Sequence, residues 1–158
     1  MTASAADVLP LIDVHAISIP ATASQTWPAV LDVVHDALSG TSRSVGGHVL
    51  GCEPARADVG DELTAGTNLV GFRVAEMRPP HLLLLAGRHR FSRYTLTFEL
   101  TDTGDRACEC RATTHAAFPG IIGTIYRAAV IGSSGHAVLM RRFLRTIAAE
   151  AAGSTDSS

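Results

Sequence analysis

The sequence contains no lysine, few aromatic residues and no excess of positive charge. Its 13 basic side chains are all arginine and stand against 15 acidic ones, for a formal net charge of −2. Nucleic-acid-binding proteins usually carry a basic surface, so we expect no nucleic-acid partner. Arg88, His89, Arg90 and Arg93 form one local basic cluster. We interpret it as the solvent-exposed rim of a hairpin, with an anion-binding mouth as the alternative.

Cysteine is scarce, with three in the chain. Without a secretory signal pattern, so few cysteines favour free thiols over a disulfide framework. Cys108 and Cys110 share one face of a predicted strand, whereas Cys52 stands apart and His115 has the opposite parity, so no four-ligand metal set is evident. Acidic residues are scattered, with no evident pair facing a cavity. We predict no metal and no cofactor, and we interpret Cys108 and Cys110 as small buried hydrophobic residues.

Long apolar runs are also missing. No run approaches the roughly 18 residues that a membrane span needs. The opening MTASAADVLP lacks the basic and apolar parts of a secretory signal. We therefore expect no membrane span and a cytoplasmic location. A length of 158 residues with 46% hydrophobic content predicts one domain with a generous core. We place this domain at residues 7–152, with flexible tails at 1–6 and 153–158.

A strand and a helix are predicted first. Residues 13–19 alternate polar and apolar side chains and predict a strand that includes His15, Ile17 and Ile19 on one face. Helical spacing follows, and either Ser24 or Thr26 can cap that helix before it ends at Gly40. Pro28 fits such a helix only within its first turn.

The middle of the chain is predicted to be rich in β-structure, with a loop or short irregular helix at 52–66. The four leucines at 82–85 indicate a strand that is buried on both faces near its start. The last strand places Cys108, Cys110, Ala112 and Thr114 on one face. The predicted strands are 44–51 (weak), 67–77, 82–89, 94–100 and 106–118.

A long C-terminal helix is predicted after Pro119, a residue favoured at a first helical position. The arginines at 127, 141, 142 and 145 lie on the face away from its apolar stripe. Gly132 is a natural stop and Ser133 or Ser134 a natural new cap, so we predict two helical segments joined at 132–135. The stripe consists of Ile125, Ala129, Gly132, His136, Met140, Phe143 and Ile147.

This order of elements predicts the α+β class. An antiparallel sheet must bury its apolar face, and the C-terminal helix is the only predicted element long enough to cover it. A curved sheet that grips a helix encloses a space, and such spaces commonly hold hydrophobic ligands.

Three segments carry a resemblance to a known superfamily: ISIPATASQTWPAVL, GFRVAEMRPPHLLLLAGRHRFSRYTLTFEL and FPGIIGTIYRAAVIGSSGHAVLMRRFLRTIA. In the order of its elements the chain resembles the START-like helix-grip superfamily (SRPBCC), which includes polyketide cyclase/dehydrase-like proteins. The last two segments look more specifically like a bacterial branch of it. The resemblance implies a seven-stranded antiparallel sheet around a C-terminal helix with an internal cavity. It implies no particular chemistry, because the fold hosts many functions.

The candidate ligand-binding residues are those that face the expected space. His136 is either a neutral histidine bonded to a nearby carbonyl or hydroxyl, or a polar anchor or general base in the cavity. The two tyrosines are either core residues or groups that offer a hydroxyl to a ligand. The full set is Phe72, Tyr94, Phe98, Tyr126, His136, Met140 and Phe143.

Three functions are compatible with this pattern. The first is a carrier or sequestering protein for a small hydrophobic or amphipathic molecule. The second is a cyclase-, dehydratase- or hydrolase-type enzyme on an apolar substrate, with His136 as its only candidate catalytic base. The third is a protein-interaction module, which a large exposed apolar patch without a cavity would indicate.

Overall fold

The computed structural model describes residues 9–39, 54, 57, 58, 60, 62–89, 92–119 and 135–155. Within these ranges lie β1 (Leu11–Ile19), α1 (Ala23–Ser39), β2 (Asn68–Leu69), β3 (Phe72–Arg78), β4 (Leu82–His89), β5 (Ser92–Gly104), β6 (Ala107–Ala117) and α2 (Gly135–Thr155). The predicted helix end at Gly40, the predicted strand 44–51 and the predicted helical segment before 132 lie outside the described residues. Of the predicted break at 132–135, only Gly135 is described.

All the described strands form one antiparallel sheet in the order β1-β6-β5-β4-β3-β2. With one helix after the first strand and one after the last, the protein has the predicted α+β class. The described part contains six strands, compared with the seven or so expected. Neither described helix is long and apolar enough to cross a membrane.

The sheet has one strongly apolar face, which we call the inner face. On β6 the inner face carries Cys108, Cys110, Ala112 and Thr114, all buried as predicted. On β4, Leu83 and Leu85 face the same side, yet Leu84 on the opposite side is buried as well. The leucine run is therefore buried on both faces near the start of the strand, as predicted.

Helix α1 begins earlier than predicted. Thr22 is its N-cap, because the Gln25 backbone N–H donates to Thr22 Oγ1 and the Thr22 N–H donates to Gln25 Oε1. This reciprocal pair is a capping box, so the prediction of Ser24 or Thr26 as the cap is wrong. Pro28 consequently lies in the second turn, on the exposed side of the helix.

The predicted strand at 67–77 is two strands. Val70 and Gly71 form a tight turn between β2 and β3, and Gly71 takes a φ of 78° that favours glycine. Val70 is therefore in the turn and does not share a strand face with Phe72 and Val74. The alternating pattern missed this turn because Val70 is itself apolar and buried, and so continues the strand-like periodicity.

Helix α2 packs its apolar stripe against α1 and the inner face. Met140, Leu144 and Ile147 are buried on that stripe, and the Phe143 ring stacks on Phe98 with centroids 5.7 Å apart. The exposed side carries the arginines at 141, 142 and 145, as predicted. The sheet therefore packs closely against the part of α2 between Met140 and Ile147.

Candidate functional site

A cluster of polar side chains lies on the inner face where α2 begins. His15 Nε2 is 3.1 Å from Asp13 Oδ2, and His136 Nε2 is 3.4 Å from the same oxygen. His136 Nε2 is also hydrogen-bonded to Thr114 Oγ1, at 3.2 Å. We call Asp13, His15, Thr114 and His136 the polar cluster. It joins β1, β6 and α2.

Strand register explains how these residues meet. Asp13 pairs with Thr114 and His15 pairs with Ala112, so both β1 residues share the inner face of β6. A β-bulge between Leu11 and Asp13 shifts the register at the start of β1. Bulges re-aim side chains next to functional sites, and this one sits directly before Asp13. His136, the second residue of α2, then reaches the sheet from the other side.

The hydrogen bonds indicate how His136 is oriented. An ionised carboxylate only accepts hydrogen bonds, so its oxygen beside His136 Nε2 favours the proton on that nitrogen. The Nε2–H then donates to Thr114 Oγ1. In a neutral imidazole the remaining Nδ1 is an acceptor, and it has no partner among the described residues. In that tautomer the hydrogen-bond acceptor of His136 is Nδ1.

Asp13 also has a buried oxygen that the described chain does not satisfy. Its Oδ1 has no hydrogen-bond partner there, although it is closed off from solvent. A buried charged oxygen without a partner is costly to the folded state. In the polar cluster, therefore, Asp13 Oδ2 contacts two histidines, whereas Oδ1 has no partner among the described residues.

A pocket of about 340 Å³ lies at the end of the sheet where β1 begins and β6 ends. Ala116 contributes to it and lies two residues beyond Thr114 on the same strand face. Ile12, at the bulge, lines the pocket, and the next residue is Asp13. The described lining comprises Pro10, Ile12, Arg93, Ala116, Ala117, Phe118 and Pro119.

Tyr94 lies on the inner face opposite Ala116, and its side chain extends toward the turn between β2 and β3. Its hydroxyl donates to the Gly71 carbonyl at 2.8 Å, and its ring contacts Phe72 edge to face. A β-carbon on Gly87 would overlap the Gly71 carbonyl and the Tyr94 ring. The tyrosine is therefore fitted against a glycine on the neighbouring strand.

The predicted site residues thus fall into separate groups. Phe98 and Phe143 stack on each other in the packed core, Met140 is buried on the same helix, and Phe72 and Tyr94 form a second pair. His136 belongs to the polar cluster. Tyr126 lies outside the described residues.

The two described cysteines are buried side chains on the inner face of β6. Burial raises the pKa of the Cys110 thiol to about 12, and it raises the pKa of Cys108 too, so both stay protonated. Thr26 Oγ1 lies 3.5 Å from Cys108 Sγ. No group of three or more His, Cys, Asp or Glu side chains is placed to hold a metal ion in the described ranges.

Sequence reasoning missed most of the site. Asp13 and Thr114 were not among the candidates, Arg93 was considered only as part of the basic cluster, and His15 only as a strand residue. A signal for Asp13 was present, because it has the same parity on β1 as His15, Ile17 and Ile19. A carboxylate in phase with an inward-facing set predicts an inward carboxylate. Thr114 has the same parity signal on β6.

Comparisons with known proteins concern the fold. No protein-family model and no curated protein matches the sequence. A conserved protein from Geobacillus kaustophilus is 19% identical, with 89% of this chain and 95% of that chain covered and a TM-score of 0.52. A protein from Thermobifida fusca is 15% identical, covering 87% and 91%, with a TM-score of 0.54.

A truncated norcoclaurine synthase from Thalictrum flavum is also similar. It is 12% identical, with 86% of this chain and 93% of that chain covered and a TM-score of 0.50. Identities at this level establish the fold and not the activity. Together with the sheet and helices described above, they show that the chain shares the α+β fold of these proteins, an antiparallel sheet packed on a C-terminal helix.

Proposed function

We propose that the chain binds a small, mainly apolar molecule with one polar group, at the end of the space between the sheet and α2. The polar group lies against the polar cluster and the apolar body lies in the adjoining pocket. The observation that carries this proposal is the polar cluster itself, which interrupts an otherwise apolar inner face.

We do not expect the polar cluster to stabilise the folded state. Replacing both partners of a hydrogen bond by apolar residues of similar shape often leaves a protein equally stable or more stable. Asp13 Oδ1 adds a further cost, because it has no partner in the described part of the chain. A role in ligand recognition accounts for retaining these side chains at that place.

The pocket gives the apolar body a location. Farther along α2 the inner face is filled, since Phe98 and Ile147 are fully buried and Phe143 stacks on Phe98. The pocket volume of about 340 Å³ lies within the range of small-molecule sites, roughly 300–1,000 Å³. We therefore place the ligand at the end of the sheet and not along the whole helix.

The acceptor on His136 indicates the kind of polar group. A hydroxyl donates to Nδ1, whereas an ether of the same shape cannot. Titration with 2-naphthol and with 2-methoxynaphthalene, followed by fluorescence, tests this difference. We expect saturable binding of both and tighter binding of 2-naphthol, by about three- to tenfold for one hydrogen bond.

Variants then locate the binding. His136→Ala is expected to remove the preference for 2-naphthol, whereas His35→Ala, on the half-exposed side of α1, leaves it unchanged. Equal affinities of the wild type for the two compounds would remove the role of His136. No saturable binding of either compound, in protein shown to be folded, would contradict the proposed function.

Acid–base catalysis on an apolar substrate is a second candidate. The observation that favours it is the Asp13 carboxylate beside His136, because a carboxylate orients an imidazole and stabilises its protonated form. The fold does not distinguish a binding protein from an enzyme, because norcoclaurine synthase is an enzyme of the same fold.

Proton exchange tests the catalytic candidate without knowledge of the natural substrate. The protein is incubated in D₂O with 1-tetralone, and deuterium at the carbon next to the carbonyl is followed by NMR. Catalysis by His136 predicts exchange faster than in buffer with equal free imidazole, and loss of that excess in His136→Ala. Full exchange by His136→Ala would eliminate this mechanism.

A further inference from the structure

The exposed side of α2 carries three arginines. Arg141, Arg142 and Arg145 are all exposed, and their guanidinium groups have no ion-pair or hydrogen-bond partner within the described ranges. The one acidic residue of α2, Glu150, lies about 140° around the helix from Arg145. Three positive charges therefore face solvent together, in a chain whose formal net charge is −2.

Two exposed apolar side chains adjoin these arginines. Val138 is 62% exposed and Leu139 is 47% exposed. At about 100° per residue, Val138 lies within about 60° of all three arginines, and Leu139 lies about 60° from Arg142. Apolar side chains among basic ones are typical of helices that lie on a membrane surface. We call Val138, Leu139, Arg141, Arg142 and Arg145 the basic–apolar face.

We infer that the basic–apolar face of α2 docks on an anionic lipid surface. This inference goes beyond the proposed function and does not depend on it. Headgroup phosphates and carboxylates supply the negative charge that the guanidinium groups lack, and the planar guanidinium binds such a group through two N–H donors. The apolar stems of the arginines, with Val138 and Leu139, then contact the boundary between headgroups and acyl chains.

A lipid surface suits this face better than an acidic protein does. From Val138 to Arg145 the face is about 10 Å long. A specific protein interface usually buries about 800 Å² on each partner, which is more than such a short helix flank offers. A lipid surface needs no matching shape, because its headgroups rearrange around the bound side chains. His136 lies in the same helical turn as Val138, so docking brings the polar cluster near the lipid.

Co-sedimentation of the ligand-free protein with large unilamellar vesicles tests the inference. Vesicles of phosphatidylcholine with about 30% phosphatidylserine should bind the wild type at least about tenfold more tightly than phosphatidylcholine alone. Each arginine near the surface contributes about fivefold in affinity, so Arg141→Gln combined with Arg145→Gln should weaken binding about 25-fold. Raising the salt concentration from about 0.1 M to about 0.5 M should also weaken it by screening.

Matched variants control for net charge and for exposed apolar area. Arg78→Gln combined with Arg106→Gln removes the same charge from β3 and from the exposed turn between β5 and β6, and should leave binding unchanged. Val138→Ser combined with Leu139→Ser should weaken binding about tenfold. Val14→Ser, on the face of β1 opposite the inner face, should not. Circular dichroism checks that each variant is folded.

The outcomes separate this inference from the proposed function. Equal binding to anionic and neutral vesicles overturns it, and so does binding that survives loss of either the two arginines or the two apolar side chains. Binding of poly-glutamate without binding of anionic vesicles assigns the face to an acidic protein and also overturns it. Failure of 2-naphthol to bind, measured without lipid, would overturn the proposed function and leave this inference standing.

Discussion

His136, near the start of the C-terminal helix, lies 3.4 Å from Asp13 on the first strand, measured from Nε2 to Oδ2. The two residues are far apart in sequence and meet because α2 packs against β1, the first strand in the order of the described sheet. Thr114 on β6 completes the contact through its bond to His136. These contacts orient the His136 ring, because the Asp13 carboxylate and the Thr114 hydroxyl both lie beside its Nε2 atom.

The polar cluster is predicted to serve binding at the expense of stability. Asp13→Val combined with His15→Leu and His136→Leu removes the carboxylate together with both of its histidine partners, so no buried charge is left alone. We expect the free energy of unfolding, from urea denaturation, to stay within about 1 kcal/mol of the wild type or to increase. Binding of 2-naphthol should be lost. A decrease of more than about 2 kcal/mol would instead assign the cluster to folding.

Gly87 is predicted to be intolerant of a side chain. In Gly87→Ala the new methyl group overlaps the Gly71 carbonyl and the Tyr94 ring, so backbone or ring must move. We expect a loss of about 2 kcal/mol or more in the free energy of unfolding. Gly104→Ala is the control, because a β-carbon there has open space around it. Equal effects of the two substitutions would contradict the close fit at Tyr94.

The capping box of α1 predicts that Thr22, and not Ser24, contributes to stability as the N-cap. Thr22→Ala removes the acceptor for the Gln25 N–H and should cost about 1 kcal/mol in urea denaturation. Ser24→Ala, inside the helix on an exposed position, should change stability by less than about 0.5 kcal/mol. The opposite ranking would restore Ser24 as the cap.

Burial of Cys110 predicts a loss of stability at alkaline pH. The folded thiol has its pKa raised to about 12 from an ordinary value of 9.0. Below pH 9 the thiol is protonated in both states, so it contributes no pH dependence. Above pH 9 the unfolded thiol loses its proton while the folded one keeps it, which favours unfolding. At pH 10.5 the expected cost is about 1–2 kcal/mol.

Comparison with Cys110→Ala isolates that cost from other groups that titrate at high pH. The variant should lose less stability than the wild type between pH 8 and pH 10.5. Parallel pH profiles of the variant and the wild type would contradict the raised pKa.

The reaction of the thiols with Ellman's reagent tests their burial separately. In a Cys52→Ser variant only Cys108 and Cys110 remain to react. The reagent at pH 8 should modify them slowly in folded protein and rapidly in urea.

Patterns with a short period could be predicted well from the sequence. The inner face of β6 follows directly from the two-residue alternation of Cys108 through Thr114, and the exposed arginines of α2 follow from helical spacing. Such patterns repeat over several residues, so a single exception does not hide them. The fold class followed from the order of these elements.

Features set by single contacts could not be predicted in the same way. The turn at Val70 and Gly71 interrupts an alternating segment, and the cap at Thr22 depends on a bond from Gln25 three residues on. The polar cluster depends on strand register and on the bulge before Asp13, which bring together residues that no local pattern connects. Arg93 could be recognised as a pocket residue only once β1, β5 and β6 were placed.

The central claim is that a small molecule binds beside the polar cluster. Heteronuclear NMR of ¹⁵N-labelled protein titrated with 2-naphthol tests it most directly, because each backbone amide reports on its own surroundings. We predict saturable shifts concentrated at Ile12, Ala116, Ala117 and His136, with none at Arg106 in the distant turn. Shifts that do not saturate, or that leave those four residues unchanged, would contradict the proposed site.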